Sequence, residues 1–340
     1  MNSPNTNKIL VVGPNWVGDM VMAQSLFMVL LQDNPGVRID VLAPGWTLPV
    51  LEYMPEVYRG IEIPLKRGEL GIGARYRLGK NLAAEAYGQV ILLPNSLKSA
   101  LIPFFAGIPR RTGFLGEQRW GLLTDVRRLN KQILGQTVQR FVALAGPVKY
   151  SAPPDCPLPR LIVANDEIRR TLDGFAIEDV QGKVLALCPG AEYGPAKRWP
   201  MRHYAFLAND RILHGWNVWL LGSPNDQEVC QLINEETGGH CRNYAGKTSL
   251  NEAISLMSVA DAVVSNDSGL MHIAAALDRN LVALYGSSDP GFTPPLTPKA
   301  RILRLGLDCS PCFKRECPLR HLRCLTELLP EQVISALEAI

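Results

Sequence analysis

The chain reads as two α/β domains in tandem, each a parallel sheet wrapped by helices. Short apolar runs of strand length alternate with longer helical patterns, as a doubly wound sheet requires. The alternation stops at a Pro-rich stretch, Ser151-Ala-Pro-Pro-Asp-Cys-Pro-Leu-Pro159, and then restarts. The length, 340 residues of which 47% are apolar and 20% charged, exceeds one ordinary core and suits two.

In the first half the strands are expected at 8–13, 37–43, 60–64 and 89–94, with helices at 19–32, 73–85 and 96–105. Prolines as dense as those of 151–159 continue neither a helix nor a central strand, so they mark the approach to a boundary. The first domain is placed at 1–160 and the second at 161–329. In the second, strands are expected at 183–188, 216–221, 262–265 and 281–285, and helices at 201–213, 226–237, 250–259 and 269–277. In such sheets ligands sit beyond the carboxyl ends of the strands, so functional residues should follow strands directly.

No segment reads as a targeting signal. Residues 1–7 are polar, and the apolar run 20–31 contains Gln24 and falls short of the roughly 20 residues that cross a bilayer. The expected location is cytoplasmic, with the eight cysteines mostly reduced. The net charge of +3 is uneven: residues 59–150 carry 15 Lys and Arg against five Asp and Glu, a local +10. Arg67, Arg75, Arg77, Lys80, Lys98, Arg110, Arg111, Arg119, Arg127 and Arg128 dominate that block. It is either a solvated face or a surface for an anionic partner. No nucleic-acid motif or aromatic-rich basic strand accompanies it, which argues against nucleic acid.

Five strings follow expected strands or stand out by composition. Gly13-Pro-Asn15-Trp16-Val-Gly18-Asp19 lacks the glycine spacing of a dinucleotide fingerprint, which weighs against a dehydrogenase. By spacing alone Asp19 is a helix N-cap; a general base is the alternative. Cys188 to Pro200 is a loop carrying Lys197 and Arg198 before a helix, suited to wrapping phosphates or simply solvated. Ser265-Asn-Asp267-Ser268-Gly269-Leu-Met-His272 puts small residues and free amides at a helix start, where anions bind. Asp226 and Glu228 open another helix, as ribose ligands or as complements to its dipole. Finally, Cys309, Cys312, Cys317 and Cys324 fall within 16 residues. They are either a structural metal knuckle or reduced packing cysteines, and their uneven gaps disfavour the metal.

Taken together these strings resemble the ADP-heptose:lipopolysaccharide heptosyltransferases over essentially the whole chain. The Leu93-Pro-Asn95-Ser-Leu-Lys98 run, continued to Pro109, is closer to the type II than to the type I enzymes, and Tyr285-Gly-Ser-Ser-Asp289 also fits. The resemblance implies a GT-B architecture, two Rossmann-like domains facing across a cleft, with a C-terminal helix at 330–340 that packs back on the first domain. The first domain would bind the acceptor and the second ADP-heptose. Asp19 would be the base; Lys197 would hold the diphosphate. Asp267, Ser268, Gly269 and His272 would form the donor junction, Thr248 would lie on the adenine side, and Asp226 or Glu228 would bind the nucleoside. Asn15, Trp16, Asn95, Lys98 and Arg119 would meet the acceptor, heptosyl-Kdo2-lipid A. No cofactor or metal is implied, and no nucleic acid. The enzyme would sit peripherally on the inner membrane, although no amphipathic anchor stands out in the sequence. Alternatives are a heptosyltransferase with another core acceptor and a nucleotide-sugar epimerase of the same fold.

Overall fold

The computed structural model describes residues 5–66, 68–177 and 180–340, the side chains of residues 5 and 6 excepted. Residues 1–4 of the polar start, and Arg67 of the basic block, lie outside the described residues. The chain forms two compact units, Met1–Pro159 and Arg160–Ile340.

The first unit runs β1 (Asn5–Val12), α1 (Val17–Asp33), β2 (Arg38–Ala43), α2 (Leu48–Leu51), β3 (Val57–Glu62), α3 (Ile72–Ala83), β4 (Tyr87–Leu92), α4 (Leu97–Phe105), β5 (Arg110–Phe114), β6 (Asp125–Arg127) and α5 (Thr137–Val142). Its six strands are ordered β3-β2-β1-β4-β5-β6, and every pair is parallel. The second unit runs α6 (Asn165–Gly174), β7 (Val184–Cys188), α7 (Met201–Leu213), β8 (Asn217–Leu220), α8 (Gln227–Glu236), β9 (Arg242–Asn243), α9 (Leu250–Ser258), β10 (Ala262–Asn266), α10 (Gly269–Ala276), β11 (Asn280–Leu284), β12 (Ala300–Leu303), α11 (Arg323–Thr326) and α12 (Pro330–Glu338). Its sheet, β12-β11-β10-β7-β8-β9, repeats the same winding and is also parallel throughout. Winding reverses between β1 and β4 in one sheet and between β7 and β10 in the other. At such a reversal adjacent loops diverge and leave a crevice beyond the strand ends.

Burial explains why these runs become strands and helices. β7 and β10 are buried along their whole length, as a central parallel strand covered on both faces must be. Helix α1 is apolar on nearly every side because it is enclosed: Gln24 and Ser25 are both fully buried. Their polar atoms are satisfied by Glu56 Oε2 at 2.9 Å and the Pro157 carbonyl at 2.6 Å. The run 20–31 is therefore core, and no helix among the described residues is long and apolar enough to cross a membrane. The terminal helix α12 packs on α7 and β11 and adds Val333 and Leu337 to the second unit's core.

Four strands were not expected: β5, β6, β9 and β12. The first opens on Arg110-Arg111, the next two have three and two residues, and β12 is a half-exposed edge. None carries the apolar run by which a buried strand is read.

One buried polar group stitches the first sheet together. Asp40, fully buried on β2, accepts from Tyr87 Oη at 2.5 Å, Arg59 Nε at 3.0 Å and Arg38 Nε at 3.4 Å. Tyr87 starts β4 and reaches Asp40 across the intervening strand β1. Burial and the Asp40 charge both push the Tyr87 phenol well above its ordinary pKa. Tyr87→Phe removes a hydrogen bond to a buried carboxylate, so urea unfolding should show a loss of about 1.5–3 kcal/mol.

Candidate active site

The loops at both winding reversals carry the residues that the sequence singled out. In the second unit the Cys188–Pro200 loop follows β7 and the Asp267–Ser268 turn follows β10. Asn266, the last residue of β10, joins them. Its Nδ2 donates to the Pro189 carbonyl at 2.7 Å, and its Oδ1 accepts from the Trp199 amide at 3.0 Å and Tyr204 Oη at 3.1 Å. Trp199 is itself buried, with its indole Nε1 on the Leu328 carbonyl at 2.8 Å. Lys197 is thus held between fixed points, and its Nζ makes a direct ion pair with Asp267 Oδ2. Tyr193 lies beside it, its ring centroid 5.1 Å from Nζ.

Gly190 is needed in that loop because a Cβ there would meet the Asp226 carboxylate at 2.3 Å. Asp226 is buried and turned inward: its Oδ2 accepts from the Ser223 amide at 2.9 Å and Ser223 Oγ at 2.7 Å. The geometry gives Asp226 a local job, closing the turn before α8, whereas Glu228 is exposed. Thr248 is half-buried and donates to the Tyr244 carbonyl at 3.4 Å.

Ser268 is the N-cap residue of α10 but places no side-chain cap on it. The helix's first amides carry the positive end of its dipole, directly after Asp267. His272, one turn in, is buried; desolvation drives its pKa down to about 4, with Asp267 opposing the shift and Lys197 adding to it. It is neutral at physiological pH, so Lys197 and the helix end supply the positive charge here. Sequence reasoning missed Asn266 as the clamp. In the Tyr285–Asp289 string after β11, Ser287 and Ser288 are buried, and their hydroxyls have no hydrogen-bond partner among the described residues.

In the first unit the winding reversal holds a pocket lined by Gly13, Asn15, Trp46, Arg75, Ser96 and Lys98 among others. Trp46 was not anticipated, although it stands just beyond a strand end; its Nε1 donates to the Asn15 carbonyl at 2.9 Å. Asp19 is not the N-cap that spacing suggested. Trp16 takes that position, and Asp19 is a half-buried residue of the first turn of α1.

Arg119, expected to meet an acceptor, is fully buried. Its guanidinium donates to the carbonyls of Phe114 and Pro94, to Ser99 Oγ and to Asn95 Oδ1. Desolvation pushes its pKa down to about 10, which still leaves it charged at neutral pH. It shapes the 94–99 loop from below instead of presenting its charge. Arg75 and Arg127 are buried too, so the basic block is only partly a surface. Cys309, Cys312, Cys317 and Cys324 are free thiols, and among the described residues no three His, Cys, Asp or Glu side chains are arranged to hold a metal ion.

Two parallel-sheet domains of matching winding, one carrying a cationic loop against a helix start, are the architecture of the GT-B-type glycosyltransferases. Residues 75–323 match the family described as glycosyltransferase family 9 (heptosyltransferase). The chain is 46% identical over 342 residues to lipopolysaccharide heptosyltransferase 2 of Escherichia coli (strain K12), covering 98% of both. It is 50% identical over 308 residues to lipooligosaccharide heptosyltransferase 2 of Haemophilus influenzae, covering 87% of this chain and 88% of that one. The solved structure of E. coli ADP-heptose LPS heptosyltransferase II superposes with a TM-score of 0.86 at 44% identity, covering 98% of each chain. The protein belongs to glycosyltransferase family 9, the heptosyltransferases.

The buried His272 makes stability depend on pH in a stated direction. An unfolded His takes up its proton near pH 6.5, about, and the native one not until about 4. Its contribution is therefore complete above pH 6.5 and is lost as pH falls towards 4. Denaturant titrations across that window should show wild type losing up to about 3 kcal/mol more than His272→Asn.

Proposed function

We propose that this protein is an inverting transferase that moves L-glycero-D-manno-heptose from ADP-heptose onto the first heptose of the lipopolysaccharide inner core. The acceptor is heptosyl-Kdo2-lipid A and the leaving product is ADP. The observation that carries this reading is the Lys197–Asp267 pair beside the bare amides of α10, in a chain 46% identical to a type 2 heptosyltransferase over nearly its whole length.

The chemistry assigns two tasks. The acceptor hydroxyl oxygen attacks the anomeric carbon while the bond from that carbon to the diphosphate oxygen breaks. The hydroxyl proton passes to the Asp19 carboxylate, which faces solvent in part and is able to meet a substrate. Charge developing on ADP is met by Lys197 and by the amides of Ser268 and Gly269. Asp267 positions Lys197, and neutral His272 packs beneath without adding charge. Thr248 and Glu228 stand on the nucleoside side; Asp226 supports the same wall from within. Asn15, Trp16, Asn95 and Lys98 meet the acceptor, and Arg119 holds their loop. A lipid-anchored acceptor makes the working location the cytoplasmic leaflet of the inner membrane, reached peripherally.

Purified protein given ADP-heptose should release ADP only with acceptor, and mass spectrometry should find heptosyl-Kdo2-lipid A one heptose heavier. Release with the heptose-free acceptor instead would assign the type I reaction, and silence with both would overturn the transferase reading. Asp19→Asn should lower kcat by about 10²–10⁴-fold while ADP affinity, read by calorimetry, stays within twofold, roughly the error of such comparisons.

A further inference from the structure

Helices α3 and α4 carry an outward apolar face that the proposed chemistry leaves unused. Helix α4 turns Ser99, Ala100, Ile102 and Pro103 inward. That leaves Leu97, Leu101, Phe104 and Phe105 on its opposite side, at helical spacing. Helix α3 buries Arg75, Gly79 and Leu82, and presents Ile72, Tyr76 and Lys80 one turn apart. The two helices lie close because residue 79 is glycine: a Cβ there would meet Phe105 Cβ at 2.6 Å and the Ile102 carbonyl at 2.8 Å.

The apolar stripes therefore join. Tyr76 packs edge-on against Phe105 at 5.2 Å, and Phe105 against Phe104 at 5.7 Å. Ile72, Tyr76 and Phe104 nevertheless stay 55, 48 and 44% exposed. Cations border the face. Lys80 Nζ stands 5.5 Å from the Tyr76 ring, the Arg111 guanidinium 5.8 Å from Phe104, and Arg77 is exposed on α3. The nearby acids are largely engaged: Glu117 accepts the Leu97 amide, Glu69 the Lys66 amide, and Glu85 pairs with Lys8 and Arg59.

We infer that the α3–α4 face is the surface by which this enzyme docks on an anionic bilayer. Half-exposed aromatic and aliphatic side chains ringed by Lys and Arg suit the headgroup boundary, where apolar bodies enter and cations meet lipid phosphates. A second copy of the chain fits worse, because a two-fold contact would set the same cations against each other. The inference rests on the proposed lipid-anchored acceptor only for its purpose. The helix starts also line the first unit's pocket, through Arg75 and Lys98. Docking there would bring the pocket mouth to the lipid surface.

The test is sedimentation of the full chain with vesicles of phosphatidylcholine alone or mixed with phosphatidylglycerol, without donor or acceptor. Wild type should bind the mixed vesicles and be released by salt. Ile72→Ser with Phe104→Ser, and separately Arg77→Ser with Lys80→Ser, should each weaken binding about tenfold, with melting temperature and ADP affinity unchanged. Transfer to vesicle-embedded acceptor should fall with binding, and transfer to a delipidated acceptor should not. Absence of wild-type binding, or variants that bind as wild type does, would overturn the inference. So would a concentration-dependent dimer that these variants abolish without any change in vesicle binding. Because vesicle binding needs no substrate, it stands apart from the transferase reading, whose failure appears as silent ADP release.

Discussion

Asn266 and Asp267, neighbours at the end of β10, hold the loop that carries Lys197, and the second unit's site depends on that hold. Asn266 fixes the loop through its amide group at two backbone points, and Asp267 fixes the lysine by charge. Asp267 is almost wholly buried and Lys197 keeps 17% of its side chain exposed. A buried carboxylate needs a partner to remain charged. Lys197 is that counter-ion, and in the proposed reaction the same ammonium would meet the diphosphate. A loop fixed in this way loses less entropy when a ligand binds than a mobile one does.

The two units share one winding but place their cations differently. Around β7 and β10 the positive charge is presented, by Lys197 and a helix start. Around β1 and β4 much of it is spent internally. Arg119 and Arg75 saturate backbone carbonyls and tie the starts of α3 and α4 to the 94–99 loop. A buried guanidinium satisfied by carbonyls instead of carboxylates keeps its charge, and its field still reaches the pocket above. In the first unit's pocket the buried Arg75 thus stands beside the exposed Lys66 and the half-buried Lys98.

Much of this was legible in the sequence because the physics is local. The central strands announce themselves as unbroken apolar runs, and the strings at 13–19, 189–200 and 265–272 stand just after them. What was hidden depends on distant partners. Arg110-Arg111 reads as loop until β4 and β6 flank it. Arg119 reads as a surface cation until five acceptors close round it. Asp19 reads as an N-cap, yet the helix begins two residues earlier than expected, with Trp16 capping in its place. Asp226 reads as a ribose ligand or a complement to the helix dipole, and the sequence does not show that its carboxylate accepts from Ser223. The exposed face of α3 and α4 was invisible for a related reason: neither helix is a strong amphipath alone, and the face forms only when Gly79 lets them touch.

Calorimetric titration of ADP, with adenosine as control, tests most directly whether Lys197 is the proposed diphosphate ligand. Folded Lys197→Ala should bind ADP about 10–100-fold more weakly, the worth of a hydrogen bond to a charged group, and adenosine as wild type does. Unchanged ADP affinity in the folded variant, or an equal loss for adenosine, would contradict the assignment.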